Sequence, residues 1–254
     1  LKITILGTGT SPGVPVIGCR CAVCRSDDVR DQRLRSSILV ESGTTRAVID
    51  TGPDFRQQML RAGVDRLDGI VYTHEHRDHV AGLDDIRALN FIQREPMHLY
   101  ATAQVEQAIR QSFPYIFGVK DYPGLPEIEF HRINDRDAFK IGDISFQPVL
   151  VWHYKLPVLA FRIGDFTYIT DANRIDPPEL DKIRGSRIVV INALRHEKHI
   201  SHFTLAEAVA LLEELKPDTG FLTHISHQLG CHEDIEKELP GWIHPAFDGL
   251  TLTI

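Results

Sequence analysis

The chain has 254 residues, 43% hydrophobic and 25% charged, an ordinary composition for a domain that buries a core without needing disulfides or metal to fold. Its formal net charge of −7 argues against a dedicated nucleic-acid binder, which normally carries a basic face. No run of about 18 apolar residues occurs, and Leu1-Lys2-Ile3-Thr4-Ile5 does not read as a charged leader, so neither a membrane span nor a signal peptide is expected.

In chain order, apolar runs of strand character come first, at residues 3–6, 36–41 and 46–50; Ser42-Gly43-Thr44 joins the last two as a hairpin. Residues 53–62 predict a helix, opening at Pro53 and closing before Gly63. A short buried strand follows at 69–72, leading directly into a histidine-rich segment. Apolar residues at helical spacing mark 104–112 and 204–215, where Leu205, Val209, Leu211 and Leu212 repeat on one face. The Pro/Gly-rich stretch 114–126 predicts a loop within the domain. Further strands are expected at 128–133, 144–150, 158–163, 167–170, 188–192 and 219–223. Strands, then helices, then strands and helices again predict one α/β domain over residues 1–254, with two sheets and helices outside them.

Histidine is the commonest metal ligand, and 13 are present. His74-x-His76-x-Asp78-His79 places three imidazoles and a carboxylate immediately after a strand. Such a donor set suits zinc, manganese or iron. On a loop, His74 and His76 can face one ion while Asp78 and His79 face a second. Two ions need further ligands. His153, Asp171 and His224 each stand where a predicted strand gives way to a loop, the usual position for a site on a rigid scaffold.

This pattern resembles the metallo-β-lactamase superfamily. The resemblance implies a four-layer αββα sandwich, with two mixed sheets face to face and the site along one edge of both. It implies that His74, His76 and His153 hold one ion, that Asp78, His79 and His224 hold the other, and that Asp171 bridges them. Asp50, in Ile49-Asp50-Thr51-Gly52, matches the family's aspartate that orients the histidine loop.

Three features narrow the branch. Gly7-Thr8-Gly9-Thr10-Ser11-Pro12-Gly13 is no dinucleotide fingerprint, because the third glycine comes one place late and Pro12 interrupts. The loop is instead similar to the opening of phosphodiesterase-like members, ribonuclease Z included. Three of the four cysteines fall in Cys19-Arg20-Cys21-Ala22-Val23-Cys24, within a clip at 18–25. That is too tight for a disulfide framework and reads as a structural zinc site in a reducing, cytoplasmic compartment. The fourth ligand is either His227 or Cys231. Thr223-His224-Ile225-Ser226-His227-Gln228 resembles the bacterial phosphoribosyl cyclic phosphodiesterases of phosphonate breakdown, and that resemblance favours His227. The same families carry a leaving-group histidine before a helix, which would be His202 in His202-Phe203-Thr204; His196 and His199 are its neighbours and rivals. His98, His131, His232 and His244 have no motif support.

The resemblance implies two divalent ions, Zn or Mn, and a structural Zn. It implies hydrolysis of small (cyclic) phosphodiesters with Asp78 and His202 as catalytic residues, Asp78 helping to orient the attacking water. A homodimer is an expectation of the same kind. The rivals are a ribonuclease Z-like nuclease, a thioester or lactone hydrolase on the same site, an oxidative role like that of a pyrroloquinoline-quinone biosynthesis protein, and a non-catalytic metal-binding scaffold. Residues 91–135, where a tRNA-gripping arm would sit, hold Arg94, Arg110, Lys120 and Arg132 against Glu95, Glu106, Asp121, Glu127, Glu129 and Asp135. A slightly acidic segment is poor equipment for gripping phosphates, so a nucleic-acid partner is not expected.

Overall fold

The structure, a computed structural model, describes residues 1–118 and 124–254. Lys120 and Asp121, counted above, lie outside the described residues. The first half runs β1 (Lys2–Gly7), β2 (Ser37–Ser42), β3 (Thr45–Ile49), α1 (Phe55–Ala62), β4 (Gly69–Val71), α2 (Arg77–Val80), α3 (Arg87–Gln93), β5 (Met97–Ala101), α4 (Ala103–Ser112), α5 (Pro114–Gly118) and β6 (Ile128–Arg132). The second half runs β7 (Phe139–Ile141), β8 (Ile144–His153), β9 (Leu156–Ile163), β10 (Phe166–Ile169), β11 (Arg174–Ile175), α6 (Pro177–Ile183), β12 (Ile188–Asn192), α7 (Leu205–Leu215), β13 (Thr219–Thr223), α8 (His232–Glu238), β14 (Ile243–Pro245) and β15 (Thr251–Thr253).

Two sheets result, ordered β15-β1-β2-β3-β4-β5-β6 and β11-β8-β9-β10-β12-β13-β14, with β7 paired to β8. Each is antiparallel on one side and parallel on the other: β3–β4–β5–β6 in the first, β10–β12–β13–β14 in the second. Ile3, Ile5, Ile38, Val40 and Ile49 of the first sheet meet Phe146, Phe161, Phe166 and Tyr168 of the second in a core between the sheets. A second core packs the first sheet against α1 and α4 through Phe55, Met59, Val105 and Ile109. A third packs the second sheet against α6, α7 and α8 through Ile183, Leu205, Leu212 and Ile235. The order of layers is αββα.

Local chemistry explains the elements. Thr204 caps α7 by accepting from the Glu207 amide, and the Glu207 side chain reaches back to the Thr204 amide, a reciprocal capping box. β8 runs three residues past the end expected from sequence, because its pairing with β9 continues to His153 opposite Leu156. His153 is therefore the last residue of a strand rather than part of a loop. Two other expectations are corrected. Pro114–Gly118 is a helical turn, not loop: proline suits a first helical position, and Ile116 and Phe117 pack onto the core beneath it. Asp78 and His79 stand on the single-turn helix α2, with His76 as its N-cap, rather than on an open loop.

Candidate metal centre

The parallel strands of both sheets deliver their carboxyl ends to one edge, and the site is built there. Asp50 follows β3, the His74–His79 segment follows β4, Asp171 follows β10, and His224 follows β13. The amide of Leu159 in β9 donates to the carbonyl of Thr73 (3.1 Å), tying the histidine segment to the second sheet.

The approach of the Asp50 turn to α2 depends on Gly52. A Cβ there would lie 2.3 Å from the Asp78 carbonyl oxygen, an impossible contact. Around that approach, the Thr51 amide donates to the His79 carbonyl and the Gly82 amide to the Thr51 carbonyl. Gly9 serves the opposite wall in the same way, since a Cβ would lie 2.6 Å from the Arg33 carbonyl oxygen. The glycine-rich loop thus packs tightly and presents Thr10, whose Oγ1 lies 3.2 Å from His224 Nε2.

Asp50 is completely buried and orders the segment above it. Its carboxylate accepts from the Thr73 amide (2.9 Å), the Thr73 hydroxyl (2.8 Å) and His79 Nδ1 (2.7 Å). Those bonds leave His79 Nε2 facing Asp78 and Asp171, each at 3.3 Å. His74 Nε2 lies 3.7 Å from the other Asp171 oxygen, and His224 Nδ1 lies 3.1 Å from the first. His153 Nδ1 donates to the Ser201 carbonyl (2.8 Å), which leaves Nε2 as the basic nitrogen. Asp50 and His224 both adopt left-handed backbone, with φ of 65° and 53°, which is uncommon for residues other than glycine and concentrates at functional sites.

The donor atoms form overlapping groups, each within 4.8 Å: Asp78, His79, Asp171 and His224; His74, His76 and Asp171; His153, Asp171 and His202. Asp171 belongs to all three. His74 Nε2 and His79 Nε2 are buried without a hydrogen-bond partner, an arrangement that costs free energy unless a cation uses those lone pairs. Electrostatics point the same way. Burial works against a proton on His79, yet Asp171, Asp78 and Asp50 together push its pKa well above the ordinary value. The three carboxylates favour positive charge beside His79. All seven expected ligands converge, and their imidazole and carboxylate donors fit divalent metal binding.

His202 sits over this centre, its ring 4.5 Å from that of His153 and stacked 4.8 Å from that of His224. His199 lies one ring further out, 5.2 Å from His202, and His196 turns Nε2 to the Leu229 carbonyl instead. Sequence reasoning missed what places His202. Asn192 closes β12 and clamps Ala172 through both its amide atoms (3.0 and 2.9 Å), and the Phe203 amide then donates to the Ala172 carbonyl (2.8 Å). A buried asparagine ending an apolar strand was the available signal.

A second cluster gathers Cys19, Cys21, Cys24 and His227, while Cys231 stands outside it. His227 Nδ1 lies 3.3 Å from Cys19 Sγ and 3.4 Å from Cys21 Sγ. The Cys24 amide, then His227, push the Cys21 thiol down to about 6, whereas burial pushes Cys24 up to about 11. Three thiols and an imidazole suit a tetrahedral zinc.

A family model of the beta-lactamase superfamily domain matches residues 45–225. The chain belongs to the beta-lactamase superfamily. Its domain is that of a metal-dependent hydrolase, with the two-sheet fold of the superfamily. A solved structure described as a new diphosphatase from the PhnP family superposes with a TM-score of 0.93 at 41% identity, covering all of this chain and 97% of that one. The zinc-bound PqqB of Methylobacterium extorquens shares the fold at 20% identity and a TM-score of 0.79, each chain covered in full. Among curated relatives, an octanoyltransferase of Porphyromonas gingivalis is 38% identical over the whole chain, which spans 52% of that protein. A ribonuclease Z of Methanopyrus kandleri is 25% identical over 76% of this chain and 81% of its own length. Among the described residues, no helix is long and apolar enough to cross a membrane.

Proposed function

We propose that the domain hydrolyses small phosphodiesters, cyclic ones and the doubly substituted diphosphate linkage included, with two divalent ions of zinc or manganese type held by His74, His76, Asp78, His79, His153, Asp171 and His224. Each phosphorus of a diphosphate substituted at both ends carries two substituted oxygens and one negative charge, as in a diester, so one site can serve both substrate classes. The observation carrying the reading is His202, seated over the metal donors with its ring against His153, which lines an open cleft. That cleft, of about 480 Å³, is lined by His76, His153, Tyr154, Lys155, Leu156, Ile200 and Ser201. Its volume suits a small molecule. The diphosphatase likeness, at 41% identity over the full chain, supports the same class.

Divalent ions bound there supply an activated water near neutral pH and stabilise the charge that builds on the phosphoryl oxygens. The chain does the rest. Asp50 and the Ser201 carbonyl hold the His79 and His153 rings in the required tautomers. Asp78 helps to orient the attacking water. Lys155, at the cleft mouth, offsets the phosphate charge. Burial, and next the charge of His224, push His202 down to about 2, which favours its neutral form. An entering phosphodiester anion favours its protonated form, and it then hands a proton to the leaving oxygen.

A nuclease reading has less support. Arg110 and Arg132 are both spent on Glu106, at 2.9 Å each, rather than left free for phosphates. An acyl-ester or thioester hydrolase remains the second reading, favoured by the apolar Leu156 and Ile200 on the cleft wall and by the octanoyltransferase relative. Structural zinc at Cys19, Cys21, Cys24 and His227 belongs to the same proposal. The test is metal analysis combined with turnover on cyclic and linear phosphodiesters, a substituted diphosphate, a tRNA precursor and an acyl thioester. Turnover confined to the thioester would overturn the phosphodiesterase reading.

A further inference from the structure

We propose that His98, Glu129 and His131 form an additional site for a late first-row divalent cation, Zn²⁺ or Ni²⁺ in class, separate from both centres described above. The three residues come from adjacent parallel strands. In the β5–β6 register His98 stands opposite Glu129, and His131 opposite Tyr100. Alternation along each strand puts His98 and Tyr100 on one face, and Glu129 and His131 on that same face of the sheet. Met97, Leu99 and Ala101 fill the other face and are buried in the core beneath the helices.

The donor atoms already stand at chelating separations. His98 Nδ1 and His131 Nε2 are 2.9 Å apart, and each lies 3.7 Å from a Glu129 carboxylate oxygen. Ligands about 2.0–2.1 Å from a tetrahedral zinc stand roughly 3.3 Å from one another. The observed spacings bracket that value, so a shift of a few tenths of an ångström closes the site. The scaffold is rigid. The His131 ring stacks on Tyr100 at 4.7 Å, Tyr100 stacks on Phe139 at 5.3 Å, and Phe139 stacks on Phe146 at 5.1 Å, inside the core between the sheets.

Donor chemistry chooses the ion. Two imidazoles and one carboxylate favour zinc, nickel or copper over magnesium or calcium, which prefer all-oxygen shells. The histidine side chains are about one-third exposed and Glu129 more than half, so an ion can enter and keep water in its remaining positions. β6 is the last strand of its sheet, joined laterally only to β5 among the described residues. A cation bridging the two strands would clip that edge in place.

The experiment uses the protein with its resident metals in place, equilibrated by dialysis against micromolar free Zn²⁺. The native chain is expected to hold one more zinc than the His98→Gln/His131→Gln double variant, with hydrolysis of a phosphodiester equal in both. Added zinc should raise the melting temperature of the native chain and not of the double variant, because an ion that binds only the folded state stabilises it. Glu129→Gln, which keeps both imidazoles, should weaken the extra zinc by about tenfold or more, and it decides the matter if the double variant misfolds. Equal zinc content in native and variant chains, or no weakening in Glu129→Gln, would mean that the two histidines share only a hydrogen bond.

Discussion

Asp50 Oδ2 lies 2.7 Å from His79 Nδ1 across 29 residues of sequence, both groups fully buried, and this contact sets which nitrogen His79 turns toward Asp171. Asp50→Asn keeps the volume and tolerates the left-handed backbone, but removes the charge that holds the His79 tautomer. Metal affinity at the His79 position should fall about 10–100-fold while the fold persists. Metal titration of the variant, with circular dichroism as the control, measures this; unchanged affinity would show that Asp50 only supports the turn.

His76→Ala and His202→Ala should separate binding from proton transfer. The first should lose metal and turnover together. The second should keep both ions and lose about 10²–10⁴-fold in kcat on esters with an alkoxide leaving group. The loss should shrink for a phosphate or nitrophenolate leaving group, which departs without a proton. Equal losses across leaving groups would assign His202 to positioning instead.

Cys21→Ser should remove one zinc equivalent and lower the melting temperature while leaving the ions at the His74–His79 centre in place. Elemental analysis with a thermal melt reads both effects. Unchanged total zinc would remove the case for a structural ion. Cys231→Ser should leave zinc content untouched, since Cys231 stands outside the four-donor cluster.

His232 should make stability depend on pH. It is buried against Arg33, with 3.3 Å between Nδ1 and Nη2, and burial followed by the Arg33 charge pushes it down to about 4 from 6.5. The unfolded chain takes up a proton as pH falls past about 6.5, whereas the folded chain resists until near 4. Stability is therefore full above pH 6.5 and declines toward pH 4, by at most about 1.4 kcal/mol per unit from this group. Denaturant melts between pH 5 and 7 should show a shallower slope for His232→Gln than for the native chain. Identical slopes would assign the pH dependence to other groups.

The sequence by itself determined the local features. Strands 188–192 and 219–223 match their observed bounds, the Thr204 cap and helix α7 stand where the apolar spacing put them, and the tight His74–His79 spacing already groups four candidate donors. Short-range chemistry controls these: period, capping and ligand spacing all act within a few residues. Only the tertiary structure decided the rest. It made α5 helical by giving Ile116 and Phe117 a core to pack on, and it carried β8 on to His153 through pairing with β9. It gathered Asp50, His153, Asp171 and His224 around one point, and chose His227 over Cys231 beside the thiols. It also brought His98, Glu129 and His131 together, three residues with no common motif. Contacts such as these depend on strand order and register, which join residues tens to hundreds of positions apart and leave no periodic trace in the chain.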